Sequence, residues 1–368
     1  MTPSATDASG KLIIGIDIGT RLSAVSYLLT RNGTPSGPIQ HVKRWPGITA
    51  TAQNQGGTTV PSLMYYGEDN RIKYGYDAED EKHAAGYDSR RLVREFKRAV
   101  HRLGTNNVSV AAGSAFDQAL QESDAGITLR DVYTDWLRFL MQQAKPQIEQ
   151  RYSRSVGRDW VTVWSERIVV LVIPNGWGIP EQATLRGALV DASFISVGTN
   201  ARFVVESEVA LYSAKGLKQF KPKKGEDFMV CDVGAATTDL ALYTVLSENP
   251  LQVQEVKDHP SISIEAGLAL AEEQTDEGNY VADDNDLGSF ADDSVSPDDP
   301  SEAKDAALNK ALDEQFSKIV QAIKGMIGQR QPKYLILGGG LSPGHAAELK
   351  AMFSHGLNYE VLPCSDSM

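Results

Sequence analysis

The 368 residues carry 36 Lys and Arg against 48 Asp and Glu, a formal charge of −12, with 41% apolar and 23% charged residues. Disorder as the main state is excluded by that composition, and no window approaches the ~18 consecutive apolar residues of a membrane span. The acidic balance argues against non-specific binding to nucleic acid or to an anionic membrane surface.

Length predicts two or three domains, or one two-lobed unit, at roughly 150 residues each. Cys231 and Cys364 lie far apart and no Cys-x-x-Cys occurs, so neither a disulfide framework nor a zinc site is indicated. The first ten residues are polar and lack the basic start and apolar run of a secretory signal. A reducing, cytoplasmic location is the expectation. Residues 1–11 read as a flexible tail.

In chain order, Leu12 to Ile18 reads as a strand, Gly19-Thr20-Arg21 as a tight turn, and Leu22 to Leu29 as a second strand. Val60 to Tyr66 is a third strand. Residues 89–103 are basic, with Leu92, Val93, Phe96 and Val100 on one side, and predict a helix. Val132, Trp136 and Leu140 at i, i+4 spacing predict a long helix over 129–148. Ile168 to Ile173, ended by Pro174, is a buried strand, and helices follow at about 180–192 and 206–216.

The charged stretch Lys218 to Asp227, with Pro222 and Gly225, reads as the joint between lobes over 12–217 and 218–368. After it the strand–turn–strand pattern recurs: Phe228 to Val233, then Gly234-Ala235-Ala236-Thr237, then Thr238 to Val245. The repeat distance is about 215 residues. Residues 272–302 hold twelve acids and no Lys or Arg, which reads as a mobile surface insertion; a calcium loop fails on ligand spacing. A helix with Leu308, Leu312, Phe316, Val320, Ile323 and Ile327 on one stripe follows, then a strand Tyr334 to Leu337, Gly338-Gly339-Gly340, and a helix over 344–353. Strands alternating with helices give α/β as the fold class.

The two Asp-x-Gly turns carry the chemistry. A glycine turn between strands exposes consecutive backbone N–H groups that suit phosphate oxygens. The turn threonines, Thr20 and Thr237, add a hydroxyl. Asp17 and Asp232, ending the two first strands, are carboxylates of the kind that hold Mg²⁺, mostly through water. Gly338-Gly339-Gly340 leaves room for an adenosine ring against backbone. No Walker-type Gly-x-x-x-x-Gly-Lys-Ser/Thr is present. Taken alone, Lys97 is a solvated lysine in a basic helix, Glu206 a helix N-terminal acid, Asp239 a strand-edge charge, and the five tryptophans packing residues.

In order and spacing these segments resemble the actin/hexokinase-type ATPases, and most closely the nucleotide-binding domain of the seventy-kilodalton heat-shock chaperones, in the style of its divergent twelve-type and fungal members. Ile14 to Thr20 resembles the first phosphate motif, Val60-Pro61-Ser62 an early strand, and Phe96-Lys97-Arg98 the segment of the catalytic lysine. Val172-Ile173-Pro174 with Gln182-Ala183-Thr184 resembles the first connecting motif, and Arg202 to Glu206 the strand ending in the active-site glutamate. Asp232 to Asp239 resembles the second phosphate motif and Leu337 to Gly340 the adenosine motif. The resemblance covers roughly residues 12–355. It implies a two-lobed actin-like (ribonuclease-H-like) fold that binds ATP or ADP with Mg²⁺ between its lobes and hydrolyses ATP slowly, with co-chaperone or client proteins as partners. Lys97 would position the attacking water, and Glu206, Asp17 and Asp232 would hold magnesium and its waters. Thr20 and Thr237 would touch the phosphates, as would the turn residues Gly19, Arg21, Gly234, Ala235 and Ala236.

Several departures bear on that expectation. Ala235-Ala236 stands where the family has glycines, and alanine disfavours φ > 0, so a distorted phosphate turn is expected. Arg21 could clamp a phosphate or point to solvent. Ser342 and Pro343 stand where the family's adenine-stacking arginine lies, and the second-lobe subdomain over the base is trimmed. No counterpart of the second connecting helix or of a substrate-binding domain is expected. A pseudo-ATPase scaffold acting through protein contacts is therefore the alternative. A small-molecule kinase of the same superfold would need an acceptor-site Asp base and a substrate loop, and neither is identifiable.

Overall fold

A computed structural model describes residues 10–48, 56–68, 71–101, 127–153, 159–196, 201–268, 270–271, 300–353 and 359–363. It shows a mixed α/β chain in two compact units, one of Met1–Ile173 with Trp177–Val205, the other of Pro174–Gly176 with Glu206–Met368. The chain passes from the first to the second at Val205–Glu206, ahead of the charged stretch 218–227. Among the described residues no helix is long and apolar enough to cross a membrane.

In the first unit, β1 (Lys11–Ile18) and β2 (Leu22–Arg31) form an antiparallel hairpin. Leu12, Ile14, Ile16 and Ile18 alternate into the core, which is the period-two pattern that makes this segment a strand. β3 (Thr34–Pro35), β4 (Gln40–His41) and β5 (Thr59–Pro61) all pair with β2. β6 (Leu63–Tyr66), β7 (Ile72–Tyr74) and β8 (Leu92–Arg94) make a separate three-stranded sheet. β9 (Ile168–Ile173) runs parallel to β1, and β10 (Ala201–Val205) parallel to β9.

The helices of this unit are α1 (Tyr76–Asp80), α2 (Phe96–His101), α3 (Leu129–Tyr152), α4 (Trp160–Ser165) and α5 (Ile179–Asp191). α3 starts on a capping box, in which the Asp131 N–H donates to Thr128 Oγ1 and the Thr128 N–H to Asp131 Oδ2. It runs through Pro146 to Tyr152, beyond the predicted end. Trp136, Leu137 and Leu140 on its inner side are fully buried.

Two expectations fail here. The single strand over Val60 to Tyr66 is two strands in two different sheets, broken at Ser62. Pro61 has no N–H for a ladder, and Ser62 spends its N–H on Arg21 O and its hydroxyl on Gly19 O. The helix over 89–103 is a 3₁₀ turn (Ser89–Arg91), strand β8, and then α2, with residues 102–103 outside the described set. Leu92 and Val93 pair with Tyr65 and Met64, and Glu95 at φ +56° ends the strand before α2 begins. The apolar spacing does mark buried residues, but sheet pairing overrides its helical period.

The second unit holds β11 (Asp227–Val233), β12 (Thr238–Glu248), β13 (Leu251–Glu255), β14 (Ile262–Ile264), β15 (Tyr334–Gly339) and β16 (Glu360–Pro363), with helices α6 (Glu206–Ala214), α7 (Pro300–Ile327) and α8 (Pro343–Phe353). Its sheet runs β13-β12-β11-β15-β16, and that of the first unit β3-β2-β1-β9-β10. In both, an antiparallel hairpin is followed by two strands parallel to its first member, and a helix links those two.

β11 reads as a continuous apolar run because both of its faces are covered. Met229, Cys231 and Val233 face α7 and α8 through Phe316, Ile319, Ile323, Leu349 and Phe353. Phe228 and Val230 face α6 through Ala210, Leu211 and Ala214. Each large apolar side chain so buried contributes about 1.5–3 kcal/mol. Most of the acidic stretch, residues 272–299, lies outside the described residues, and 300–302 open α7.

Candidate functional site

The first turn closes β1 onto β2 with Asp17 opposite Ala24 and Ile18 opposite Ser23. The Gly19 N–H donates to Leu22 O at 3.0 Å, and a Cβ on Gly19 would stand 2.4 Å from that same oxygen. Glycine is required here for space. A directed chain of hydrogen bonds holds the turn from behind. Trp136 Nε1–H donates to Ser23 Oγ (3.1 Å), Ser23 to Ser62 Oγ (2.8 Å), and Ser62 to Gly19 O (2.8 Å). Each hydroxyl has one proton, so the last donation fixes the direction of the others.

Thr20 is buried and Arg21 is exposed. Lys97, on α2, is buried with 9% of its surface exposed, so the solvated-lysine reading is wrong. Its neighbour Phe96 packs edge-on against Trp136 at 5.9 Å, the same indole that starts the chain of hydrogen bonds to Gly19. The helix carrying Lys97 and the turn carrying Gly19 thus share one support.

The second turn closes β11 onto β12 with Asp232 opposite Asp239 and Val233 opposite Thr238. The Gly234 N–H donates to Thr237 O at 2.8 Å, and a Cβ there would be 2.9 Å from that oxygen. Glycines brace it from outside. A Cβ on Gly267 would lie 2.4 Å from Ala235 O. Gly338 pairs with Asp232, Gly339 sits at φ +89° with Val233 O 2.2 Å from where its Cβ would be, and the Gly340 N–H donates to Val233 O at 2.9 Å.

The expected distortion at Ala235-Ala236 does not occur. Neither alanine has a positive φ, because the turn needs glycine only at its first position. Among the described residues, the N–H groups of Ala235, Ala236 and Thr237 donate to no protein acceptor. Consecutive N–H groups left without a protein acceptor on a turn are of the kind that bind anions.

Beside these N–H groups stand carboxylates. Asp239 is fully buried in β12, between β11, β13 and β14, and is no strand-edge charge. Its Oδ1 accepts the Asn175 N–H at 2.6 Å. Its Oδ2 receives no N–H or hydroxyl, and the neighbour there is the carboxyl of Glu206, the first residue of α6. Two carboxyls in contact are stable only if they share a proton. Asp239 is accordingly held well above the ordinary carboxylate range, first by burial, then by the Glu206 charge and the hydrogen bond shared with it. Asp232 adds in the same direction, and the Asn175 N–H opposes. Burial, with Asp232 and Asp239 nearby, also pushes the Cys231 thiol up.

Asn175 is itself clamped. Its Oδ1 accepts from Ser207 Oγ (2.9 Å), and Ser207 accepts in turn from Tyr243 OH (2.9 Å). Burial pushes that phenol up to about 12. Sequence reasoning missed Asn175, which carries no motif. Asp239 had a signal, since the hairpin register sets it opposite Asp232.

The second unit therefore brings together Glu206, Asp232, Gly234, Ala235, Ala236, Thr237, Gly338, Gly339 and Gly340, and the first brings together Asp17, Gly19, Thr20 and Arg21 with the Lys97 helix tied to the same support. Carboxylate oxygens are the hard donors that Mg²⁺ takes. Among the described residues no group of three or more His, Cys, Asp or Glu side chains could hold a metal ion directly. The chain matches no protein-family model and no curated protein sequence.

Proposed function

We propose that the chain is an actin-like ATPase domain of two lobes that binds Mg-ATP and hydrolyses it slowly, resembling the nucleotide-binding domain of the seventy-kilodalton chaperones. The observation that carries this reading is the row of three unspent N–H groups at Ala235, Ala236 and Thr237 beside the carboxylates of Asp232, Asp239 and Glu206. An anion cradle next to acids is a poor site for a bare anion and a good one for a polyphosphate that arrives with a cation. The first unit repeats the turn with Asp17, Gly19, Thr20 and Arg21.

Roles follow from chemistry. The turn N–H groups and Thr237 hold phosphate oxygens. Asp17, Asp232 and Glu206 accept hydrogen bonds from the water shell of magnesium. Bound magnesium supplies charge neutralisation on the phosphates. Asp239, kept protonated by burial beside Glu206, adds no second negative charge to the site. Lys97, a cation kept from bulk solvent, stabilises charge that develops on the terminal phosphate. Gly338 to Gly340 offer backbone against which the nucleoside lies.

Titration calorimetry of the chain with ATP and ADP, with and without magnesium, tests the reading. Micromolar, magnesium-dependent binding is expected, with turnover reduced about 10²–10³-fold in Lys97→Ala while binding persists. Binding without turnover in the parent chain would favour a nucleotide-gated scaffold. Absence of binding would overturn both.

A further inference from the structure

A pocket of about 630 Å³ opens on the second unit between the segment after α6 and the β12–β13 turn. No residue of the candidate nucleotide site lines it. Three lysines, Lys215, Lys221 and Lys223, line it against one carboxylate, Glu248, and its apolar lining is Phe220, Pro222, Pro250 and Leu251. Residues 215–224 hold five lysines and no acid, in a chain whose formal charge is −12. Among the described residues no carboxylate pairs with the ammonium of Lys215, Lys218, Lys221, Lys223 or Lys224.

This wall is fixed in place. The Lys224 N–H donates to Glu248 Oε1 (3.1 Å) and the Gly225 N–H to Val245 O (2.8 Å), which ties the segment to β12. Tyr334 OH donates to Lys221 O (3.3 Å). Phe220 is wedged between Phe228 and Tyr334, with ring centroids 5.3 and 5.4 Å away. Like charges held together by such anchors repel one another, and an anionic occupant relieves that repulsion.

The form of the anion is also legible. A phosphate site of the usual kind uses backbone N–H groups, and here the N–H groups of Lys223 and Lys224 are already taken by Glu226 and Glu248 carboxylates. What remains is the lysine wall, with Lys215 Nζ over the Tyr212 ring at 4.5 Å and Lys221 and Lys223 exposed, beside an apolar floor and a single carboxylate, Glu248, whose Oε1 is taken by the Lys224 N–H. That combination suits several carboxylates spaced along a chain with an apolar side chain among them. We propose that this pocket docks an acidic peptide segment of a partner protein, with an aliphatic anchor seated on Phe220, Pro222 and Leu251 and its carboxylates on the lysine rim.

The test is fluorescence anisotropy of the full chain with the fluorescein-labelled peptide Glu-Asp-Glu-Leu-Asp-Glu-Asp. Saturable binding that weakens with salt is expected. The doubly charge-reversed variant Lys221→Glu with Lys223→Glu, both exposed positions, should bind about tenfold more weakly or worse while its thermal unfolding is unchanged. Replacing the peptide leucine by glycine should weaken binding severalfold. No saturable binding overturns the proposal. So does a leucine-independent affinity that tripolyphosphate abolishes equally well in the parent and reversed chains, since that would be general anion attraction.

Discussion

At an offset of 215 residues the two hairpins share one register and differ at the residue opposite the aspartate. Asp17 faces Ala24, whereas Asp232 faces Asp239. The turn glycines are equivalent, and each donates to the carbonyl three residues on. The supports differ as well. The first turn is held by side-chain hydroxyls and an indole, the second by glycine backbone pressed against its outer side. One backbone solution thus serves a turn with a single carboxylate, Asp17, in the first unit and a turn with two facing carboxylates in the second. The second has to be tightly enclosed, because a shared proton between Asp239 and Glu206 requires that water be kept out.

If the backbone brace is what distinguishes the second hairpin, its largest vulnerability is Gly339. A Cβ there meets Val233 O at 2.2 Å and Asp232 Oδ1 at 2.6 Å, at φ +89°. Overpacking and a left-handed non-glycine residue each cost about 1–3 kcal/mol. Gly339→Ala should therefore lower the unfolding free energy by about 2–5 kcal/mol in urea titrations. Gly340→Ala is the control. Its Cβ would be 4.0 Å from Val233 O and its φ is not positive, so a loss under about 1 kcal/mol is expected. Equal, small losses would break the contrast between a turn braced by backbone and one braced by hydroxyls.

Asp239 offers the next effect, and of opposite sign. Its folded-state pKa lies above its unfolded value, so the folded chain binds more protons and stability falls as pH rises between the two values. Asp239→Asn removes that ionisation. The amide oxygen still accepts the Asn175 N–H, and the amide nitrogen donates to Glu206. The variant should gain about 1–3 kcal/mol at neutral pH. The gain should shrink toward acid and vanish below the ordinary carboxylate range. A pH-independent difference would mean that Asp239 titrates alike in the folded and unfolded chains, and that the two hairpins do not differ in their electrostatics.

Much of this architecture was legible from residue pattern. Apolar runs bounded by Gly19, Pro174, Gly234 and Gly338 located β1, β9, β11 and β15, and the 215-residue recurrence matched two hairpins whose registers coincide. Local pattern failed where distant pairing decides. Nothing near Ser62 states that its hydroxyl belongs to Gly19, 43 residues away, so the strand break there was invisible. The helical spacing over 89–103 marked the right buried residues in the wrong element. The burial of Lys97 and Asp239 depends on what packs over them, and side-chain type alone points toward solvent. Asn175 meets Asp239 through its backbone N–H, which every non-proline residue has, and its side chain is used only to hold it in place.

The smallest effect addresses the two alanines. If Ala235-Ala236 replaced glycines that the turn needs, restoring glycine would relieve strain and stabilise the chain. The φ values contradict this, since neither alanine occupies the left-handed region. Ala236 is also buried, 2% exposed, so its methyl is packed. Glycine there would lose that packing and give the unfolded chain more freedom. Ala236→Gly should therefore cost about 0.5–1 kcal/mol in the same urea titrations. A gain instead would show that the second turn is strained in a way the first is not, and would return Ala235-Ala236 to the distorted form expected of alanines in place of glycines.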